Sequence, residues 1–358
     1  MKIVSIVGAR PQFIKCAPLS RELHKYYDEI LVHTGQHYDP EMSNIFFEEL
    51  DIPQPDYNLI VGSGLHGKQT GEMLEKIENV LLKEKPDLVI VFGDTNTTLA
   101  GALTAAKLHI PVAHVEAGLR SFDRTMPEEI NRVVTDHLSD FLFCPTQTSV
   151  NNLAKEGITN GVYLVGDVMV DALEYNRNIA EEKSRILERL ALTGLKYLVM
   201  TVHRPGNTNS RKNMENILSA VKESGKTTIF PVHPRTRKYL GEYGLWDSMP
   251  SNIILIEPLG YLDMLLLMSH AEKILTDSGG MQKEAYILGV PCITLRDTTE
   301  WVETLDGGWN VLVGAVPEKI FGEIMRVLPT SLPRSEYFGD GYTAGKICRI
   351  IGSWECKT

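Results

Sequence analysis

The sequence predicts an α/β protein with two doubly wound parallel sheets, and two observations lead to this fold class. Short apolar runs alternate with amphipathic stretches along the chain, a rhythm typical of parallel strands that helices cover on both faces. The rhythm begins again near residue 197, after a charged, helix-rich segment at 171–192. The chain has 358 residues, 43% of them hydrophobic, so it is long enough for about two domains.

In the first half, five apolar runs of strand length are each followed by a helical pattern. These runs span residues 3–7, 30–33, 88–92, 112–115 and 141–144. A further run at 162–167 is predicted to form a last strand and a hinge, because it leads into the charged segment. We therefore expect the domain boundary near Gly166.

In the second half, the same alternation predicts a second parallel sheet. Its strands are expected at 197–202, 228–232, 253–256, 273–275 and 291–294. Residues 329–341 show no pattern, and the chain then ends in a helix-like stretch at 342–354 with isoleucines at helical spacing.

The turn at 276–280 predicts an anion site, because Ser278, Gly279 and Gly280 connect a strand to a helix. Glycines let the backbone approach a ligand closely, and the first N–H groups of a helix have no internal partner, so a phosphate is the expected ligand. Glu284 lies one helical turn further on, where a carboxylate can reach ribose or sugar hydroxyls. The alternative is an ordinary helix cap by Ser278 or Asp277.

Polar residues follow most of the predicted strands. In open α/β sheets, ligands bind beyond the carboxyl ends of the strands, so these residues are candidates for one site. They are Arg10, Gln36, His37, Asp94, Glu116, Arg120, His203, Arg204, His233 and Arg235.

Two of the candidate carboxylates also have a structural interpretation. Asp94 is placed to cap the helix at 97–108. Glu128 is placed to complete a capping box that starts at Thr125, or to pair with Arg132 one turn later. Glu116 is different, because it follows a buried strand and precedes no obvious cation until Arg120, so a functional role is favoured there.

The histidines at the strand ends leave alternatives open. His203 and His233 are either structural imidazoles or ligands of a diphosphate. His114 and Glu116 share one face of a strand, as two metal ligands would, but the sequence offers no third ligand. We therefore predict no metal site.

The segment 62–67 matches the dinucleotide fingerprint G-x-G-x-x-G, and Asp87 follows about twenty residues later. In a dinucleotide fold, that acid stands at the carboxyl end of the second strand. Asp87 instead precedes the strand at 88–92, so it lies at the opposite edge of the sheet. We therefore expect no dinucleotide at this loop.

Composition excludes several classes of partner. The net charge of −10 argues against nonspecific binding to nucleic acids or anionic membranes, since both require clustered positive charge. The five cysteines include no C-x-x-C pair, which favours free thiols in a reducing cytoplasm. The N-terminal apolar run is too short for a signal peptide, and no later run is long enough for a membrane span. We expect a soluble cytoplasmic protein.

Taken together, these motifs resemble those of the non-hydrolysing UDP-N-acetylglucosamine 2-epimerases. The similarity runs from residue 1 to about residue 314 in unchanged order. It rests on residues 8–11 with Lys15, 93–95, 114–120, 127–132, 203–204 and 277–282.

The resemblance implies a GT-B fold with the active site in the cleft between two domains, a homodimer, and no metal or other cofactor. It also implies a final helix that returns to the first domain. The predicted domains are therefore residues 1–166 together with 342–358, and residues 167–341.

The resemblance also implies interconversion of UDP-N-acetylglucosamine and UDP-N-acetylmannosamine for the synthesis of cell-surface polysaccharides or glycans. In such a reaction a base removes the C2 proton as UDP leaves C1, and UDP then adds back to the glycal with protonation from the other face. The residues carried over as catalytic are Asp94, Glu116, Glu128 and His203. Those carried over as substrate-binding are Arg10, Lys15, Arg132, His233, Ser278, Gly279, Gly280 and Glu284.

Three departures from the usual bacterial motifs bear on the substrate. Ala9 and Gln12 replace threonine and glutamate, Lys283 replaces glutamate, and Trp301-Val302 replaces arginine-proline. These variants are similar to the branch that acts on UDP-2,3-diacetamido-2,3-dideoxy-glucuronate. An extra substrate carboxylate would favour an added cation such as Lys283, although a lysine on a helix is more often solvated.

Other functions remain open at this point. A GT-B glycosyltransferase would share the fold and the UDP site but need an acceptor cleft, and a hydrolysing epimerase would differ only in letting water reach the glycal. Some bacterial members are activated by a second substrate molecule. The local match for such a regulatory site is partial and comprises Gln36, His37 and Gln69.

Overall fold

The chain folds as two compact units in a computed structural model that describes residues 1–36, 54–327 and 335–355, except for the side chains of Arg10 and Glu355. The first unit comprises Met1–Asn176 and Glu336–Thr358, and the second comprises Arg177–Ser335. Each unit is built on a parallel sheet with helices between its strands. The predicted fold class is therefore confirmed.

Within the described residues, the sheet of the first unit has seven parallel strands in the order β3-β2-β1-β4-β5-β6-β7. The order reverses between β1 and β4, and such a switch point opens a crevice at the carboxyl ends of the strands. The strands are β1 (Lys2–Val7), β2 (Asp28–His33), β3 (Tyr57–Asn58), β4 (Leu88–Phe92), β5 (Val112–Val115), β6 (Phe141–Cys144) and β7 (Val162–Leu164).

The helices of this unit cover the sheet because their apolar faces pack on its strands. One core cluster joins Val4 and Val91 of the sheet to Met73, Ile77 and Ala102 of two helices. The helices are α1 (Arg10–Leu23), α2 (His66–Glu84), α3 (Asn96–Lys107), α4 (Pro127–Leu138), α5 (Gln147–Lys155), α6 (Val168–Lys183) and the C-terminal α14 (Thr343–Glu355).

The C-terminal helix α14 packs on the first unit, where Trp354 meets the ring of Phe141 edge-on at 5.4 Å. Asp171 in α6 accepts hydrogen bonds from the backbone N–H groups of Thr343 (3.1 Å) and Ala344 (2.8 Å). This carboxylate caps α14 and ties the first half of α6 to the first unit. The units therefore divide inside α6, whereas the sequence pattern places the boundary near Gly166.

In the part of the second unit that the structure describes, six parallel strands run in the order β10-β9-β8-β11-β12-β13. The strands are β8 (Leu198–Thr201), β9 (Thr228–Pro231), β10 (Ile253–Ile256), β11 (Lys273–Thr276), β12 (Cys292–Thr294) and β13 (Asn310–Leu312). The helices are α7 (Ile186–Arg189), α8 (Pro205–Thr208), α9 (Arg211–Ser224), α10 (Pro234–Glu242), α11 (Tyr261–Ser269), α12 (Gly279–Leu288), the 3₁₀ helix Val302–Gly308 and α13 (Pro317–Met325).

The fingerprint-like segment at 62–67 leads directly into a helix. Helix α2 begins at His66, and a Cβ added at Gly62, Gly64 or Gly67 would meet no atom within 4 Å. The Asp87 carboxylate accepts a hydrogen bond (2.7 Å) from the backbone N–H of Lys2, at the start of β1. Asp87 therefore lies at the amino edge of the sheet, as the sequence argument requires.

Among the described residues, each helix is either too short or too polar to span a lipid bilayer. In the same part of the chain, four cysteines are free and buried, namely Cys16, Cys144, Cys292 and Cys348. Burial raises the pKa of each of these thiols, so all four are inert at neutral pH. Cys356 lies outside the described residues.

Two glycines in the connection from α5 to β7 give a matched test of the fold. Both have left-handed backbones, with φ of 81° at Gly157 and 68° at Gly161. A Cβ at Gly157 would meet no neighbour within 4 Å, but one at Gly161 would collide with the carbonyl oxygen of Asp140. We expect Gly157→Ala to cost about 1 kcal/mol and Gly161→Ala to cost roughly 2 kcal/mol more. Urea unfolding followed by circular dichroism measures both values, and equal losses would contradict the steric argument.

Candidate active site

The loop after β1 is held against the end of β4 by Gln12. The Oε1 atom of Gln12 accepts hydrogen bonds from the backbone N–H groups of Gly8 (2.9 Å) and Ala9 (3.0 Å). Its Nε2 atom donates to the carbonyl oxygen of Phe92 at 2.9 Å. Gln12 is buried, so this departure from the usual motif positions the backbone of the strand ends. Helix α1 begins at Arg10, whose side chain lies outside the described residues.

Asp94 follows β4, and its carboxylate is held by Arg132 of α4. The Oδ2 atom of Asp94 accepts hydrogen bonds from Nη2 (2.7 Å) and Nε (3.1 Å) of Arg132. The Asp94 side chain is 30% exposed, whereas that of Arg132 is buried. Thr95, and not Asp94, caps α3, because its hydroxyl accepts the N–H of Thr98. The capping interpretation of Asp94 is therefore wrong, and its carboxylate is available to a ligand.

Helix α4 begins without the predicted capping box. Its N-cap is Met126, which makes no side-chain cap, and Arg132 pairs with Glu129 at 2.5 Å as well as with Asp94. Burial raises the pKa of Glu129, but hydrogen bonds from the backbone of Ser121 and Phe122 and the charge of Arg132 outweigh this and hold it below its usual range.

Glu128 therefore has a different environment from the one its structural interpretation requires. Its side chain is half-buried, and within the described residues it has no hydrogen bond or ion pair. The expected pairing of Glu128 with Arg132 is wrong, because the guanidinium faces Glu129 and Asp94.

Glu116 follows β5 in a strained backbone conformation, with φ of 77°. A non-glycine residue in this region costs about 1–2 kcal/mol, and such strain is typical of functional sites. The N–H groups of Glu116 and Ala117 both donate to the carbonyl oxygen of Phe143 at 3.1 Å, which holds the turn. The buried Glu116 carboxylate forms an ion pair with the ammonium group of Lys15.

Gly93 makes room for this ion pair. Its backbone is left-handed, with φ of 63°. A Cβ there would lie 3.1 Å from Nζ of Lys15 and 3.4 Å from Oε2 of Glu116. The first unit thus brings Asp94, Glu116, Lys15 and Arg132 to the ends of the neighbouring strands β4 and β5.

Two of the three residues predicted to be regulatory lie together beside α3. The Nε2 atom of Gln69 donates to the carbonyl oxygens of Gly62 (2.7 Å) and Gln36 (3.5 Å). The Oε1 atom of Gln36 accepts the N–H of Thr97 at 3.1 Å. Both glutamines are buried, and His37 lies outside the described residues.

In the second unit, the turn after β11 begins α12 as the sequence predicts. Ser278 is the N-cap, and its hydroxyl accepts the N–H of Met281 at 3.5 Å. A Cβ at Gly279 would collide with the carboxylate of Glu300, whereas one at Gly280 has space. The first N–H groups of this ten-residue helix therefore form a backbone surface suited to a phosphate.

Asp277 connects this turn to the loop after β8. Its buried carboxylate accepts hydrogen bonds from the backbone N–H groups of His203 (3.0 Å) and Arg204 (3.0 Å) and from Nδ2 of Asn207 (3.1 Å). Asp277 thus positions the backbone of His203 beside the turn at 276–280, which we call the phosphate-type turn.

The two histidines of this edge are neighbours, with ring centroids 5.8 Å apart. Burial lowers the pKa of His203, and the charges of Arg204 and Arg235 lower it further against the opposing effect of Asp277. His203 is therefore neutral at pH 7. His233 caps α10, where its Nδ1 atom accepts the N–H of Arg235 at 3.1 Å. It therefore has a structural role in addition to its predicted role in binding.

The described residues contain no group of three or more His, Cys, Asp or Glu side chains arranged to hold a metal ion. His114 and Glu116, which share one face of a strand in the sequence pattern, contact different partners. His114 faces Asp136, and Glu116 faces Lys15.

Comparisons with known proteins identify the family. The sequence profile described as UDP-N-acetylglucosamine 2-epimerase matches residues 21–352. The chain belongs to the UDP-N-acetylglucosamine 2-epimerase family. This family comprises isomerases that act on nucleotide sugars, and the predicted enzyme class is therefore confirmed.

Two relatives of this chain match it over nearly its full length. A UDP-N-acetylglucosamine 2-epimerase homolog of Methanococcus maripaludis is 58% identical, and the match covers 98% of this chain and 99% of the relative. The UDP-2,3-diacetamido-2,3-dideoxy-D-glucuronate 2-epimerase of Pseudomonas aeruginosa is 44% identical over the same shares of the two chains.

A solved structure from Methanocaldococcus jannaschii, a UDP-GlcNAc 2-epimerase in complex with UDP-GlcNAc and UDP, matches with a TM-score of 0.92. It is 50% identical, and the match covers 99% of this chain and all of the other.

Lys283 and Trp301, which both differ from the usual bacterial motifs, contact each other. Nζ of Lys283 lies 4.0 Å from the centroid of the Trp301 ring, a distance at which a cation–π interaction stabilises the pair. Lys283 is only 1% exposed, so the expectation of a solvated lysine is wrong. Glu284, the next residue of α12, is half-buried.

Several residues that shape the site are absent from the catalytic and binding residues predicted from the sequence. They contact the backbone or another side chain of the site, and they are Gln12, Glu129, Asn131 and Glu300. The sequence predicts Asp277 only as a helix cap. Asn131 shows the reason, since its Nδ2 atom donates to the backbone oxygen of Asp94 at 2.9 Å. Its position next to Arg132 in a motif was the only available signal.

The lowered pKa of His203 predicts a pH-dependent stability. The unfolded state, with an ordinary histidine pKa, binds more protons than the folded state as the pH falls from about 7 to 5. The free energy of unfolding should therefore decrease over this range, and His203→Gln should reduce that decrease. Urea titrations at each pH measure it, with the exposed His137→Gln as a control that keeps the wild-type slope. An unchanged slope in His203→Gln would contradict the assignment.

Proposed function

We propose that this protein interconverts UDP-N-acetylglucosamine and UDP-N-acetylmannosamine by elimination and re-addition of UDP. One observation carries the proposal: two carboxylates, Asp94 and Glu116, end neighbouring strands, and each is paired with a cation. The Methanocaldococcus jannaschii relative, whose structure contains UDP-GlcNAc and UDP, supports the choice of substrate. Membership of an epimerase family argues against the glycosyltransferase alternative.

The reaction requires a base at C2 while the leaving group departs from C1. The C2–H electron pair forms the C1–C2 double bond, and the C1–O bond breaks with its electrons moving to the phosphate oxygen of UDP. The proton stays on the base, which must be a carboxylate anion beforehand. Re-addition of UDP with protonation at the other face of C2 completes epimerisation, so two acid/base groups are needed.

We assign this acid/base role to Asp94, Glu116 and Glu128. The guanidinium of Arg132 orients Asp94, and the ammonium group of Lys15 orients Glu116. Glu128 has no such cation among the described residues. Arg132 acts on the substrate through Asp94 rather than through Glu128.

We assign the UDP-binding role to the second unit. Ser278, Gly279 and Gly280 offer backbone N–H groups to a phosphate, and Glu284 offers a carboxylate to ribose hydroxyls. A neutral His203 donates a hydrogen bond to the departing phosphate oxygen, where negative charge develops. His233 completes the proposed contacts of this unit, and Arg10 of the first unit stays a substrate-binding candidate that the family resemblance implies.

A second candidate substrate is UDP-2,3-diacetamido-2,3-dideoxy-glucuronate. The relative from Pseudomonas aeruginosa carries that name. The specific observation is the Lys283–Trp301 pair behind the phosphate-type turn, where the usual glutamate–arginine pair is replaced. This exchange adds one positive charge, and a uronate carboxylate is the group that would use it.

We further propose that the enzyme is a cytoplasmic homodimer that works without metal and supplies sugars for surface polysaccharides or glycans. The family resemblance supports the dimer, and the buried free thiols support a reducing compartment. Light scattering of the purified protein tests the oligomeric state, and a mass equal to that of one 40.0 kDa chain would contradict it.

Amide substitutions test the carboxylates. Asp94→Asn and Glu116→Gln should each lower kcat by about 100-fold or more, because the base is lost, while UDP affinity is kept. The measurement is proton NMR with UDP-N-acetylglucosamine in deuterated water without metal or NAD. Wild type should form UDP-N-acetylmannosamine with deuterium at C2, while release of free N-acetylmannosamine would indicate a hydrolysing enzyme. Wild-type rates in both variants would contradict the assignment.

Lys283→Glu tests the choice of substrate. If the uronate is the substrate, the variant should lose about 10- to 100-fold in kcat/KM for that nucleotide, since a charged hydrogen bond is removed. Its kcat/KM for UDP-N-acetylglucosamine should change far less. Lys212→Glu, at an exposed position of the same unit, is the matched control. Equal losses with both nucleotides would assign Lys283 a structural role only.

A further inference from the structure

His114 of β5 is fully buried, and both of its ring nitrogens face oxygen atoms. Its Nδ1 atom lies 2.7 Å from Oδ1 of Asp136, and its Nε2 atom lies 2.7 Å from the carbonyl oxygen of Gly93. These are hydrogen-bond distances. The proposed mechanism does not use this residue, although Glu116 lies two positions further along the chain.

The oxygen atom of Gly93 determines which ring nitrogen donates. A carbonyl oxygen only accepts, so Nε2 of His114 carries a proton and donates it to Gly93. On the other side of the ring, Asp136 is held by further donors, because its Oδ2 atom accepts hydrogen bonds from Nη1 of Arg120 (2.7 Å) and from the N–H of Gly118 (3.1 Å).

The Asp136 carboxylate anchors the other side of the ring. Burial raises the pKa of Asp136, but its hydrogen bonds and the charges of His114 and Arg120 outweigh burial and hold that pKa below its usual range. Asp136 is therefore an anion at neutral pH.

We propose that His114 positions the turn that carries Asp94. It is a positioning residue, because it bonds the carbonyl oxygen of Gly93 and acts on the Asp94 carboxylate only through the backbone. Gly93 and Asp94 are consecutive, so the His114 bond fixes where the Asp94 carboxylate begins.

The guanidinium of Arg120 holds Asp136 in place. Besides its bond to Asp136, Arg120 forms two hydrogen bonds of 2.7 Å with Glu156, whose side chain is 27% exposed. The carboxylate that anchors His114 is therefore itself fixed by a neighbouring ion pair.

Neutron crystallography of the deuterated wild-type protein at pH 7.5 locates the proton of this hydrogen bond directly. We expect deuterium on Nε2 of His114, directed at the carbonyl oxygen of Gly93. An Nε2 atom without deuterium overturns the positioning bond. This measurement needs no variant and no assumption about function.

Two variants separate the two hydrogen bonds. His114→Asn places an amide near the Nδ1 position and loses the bond to Gly93, whereas His114→Gln reaches Gly93 and loses the bond to Asp136. We expect His114→Asn to lower kcat by about 10- to 100-fold and His114→Gln to retain more activity, with UDP affinity unchanged in both. His137→Gln, on the exposed side of α4, is the control with wild-type kcat. Wild-type kcat in His114→Asn overturns the positioning role.

The effect expected on kcat rests on the proposed function, and the two failures are distinguishable. If the wild-type protein epimerises neither candidate nucleotide sugar, the proposed function fails, while the neutron structure still decides whether Nε2 of His114 donates to Gly93. If wild type is active and Nε2 carries no deuterium, the inference fails and the proposed function stands.

Discussion

Charge pairing in a buried environment is the constraint on which the first unit depends. Asp94, Glu116 and Glu129 lie at or near the carboxyl edge of its sheet, and each is paired with Arg132 or Lys15. Removing one partner of a buried pair costs about 3–5 kcal/mol, so the pairs are mutually dependent. The same pairing that stabilises the edge also fixes the orientation of the carboxylates, and the proposed mechanism depends on that orientation.

In the proposed mechanism the second unit has the opposite requirement, because it receives an anion. Backbone N–H groups at the start of α12 provide the positive end of a helix dipole. The Asp277 carboxylate accepts the backbone N–H groups of His203 and Arg204, so it organises this edge of the sheet. The proposal thus assigns the acid/base groups to the first unit and anion binding to the second.

The strands and the residues that follow them were predictable, since apolar periodicity determines which segments enter a parallel sheet. The short edge strands β3 and β13 were not, because two or three residues make no periodic pattern. The sequence also could not predict which glutamate pairs with Arg132. Glu128 and Glu129 are adjacent in the sequence, and only the packing of α4 turns Glu129 toward Arg132.

The sequence by itself determined the fold class, the family and the side chains available at the strand ends, because these depend on residue type and spacing. Tertiary structure decided which of those side chains are buried, paired or strained. The left-handed backbone of Glu116, the burial of Lys283 against Trp301 and the two oxygen atoms that enclose the ring of His114 all arise from contacts between segments far apart in the chain. Such contacts set ionisation and orientation, and no local pattern encodes them.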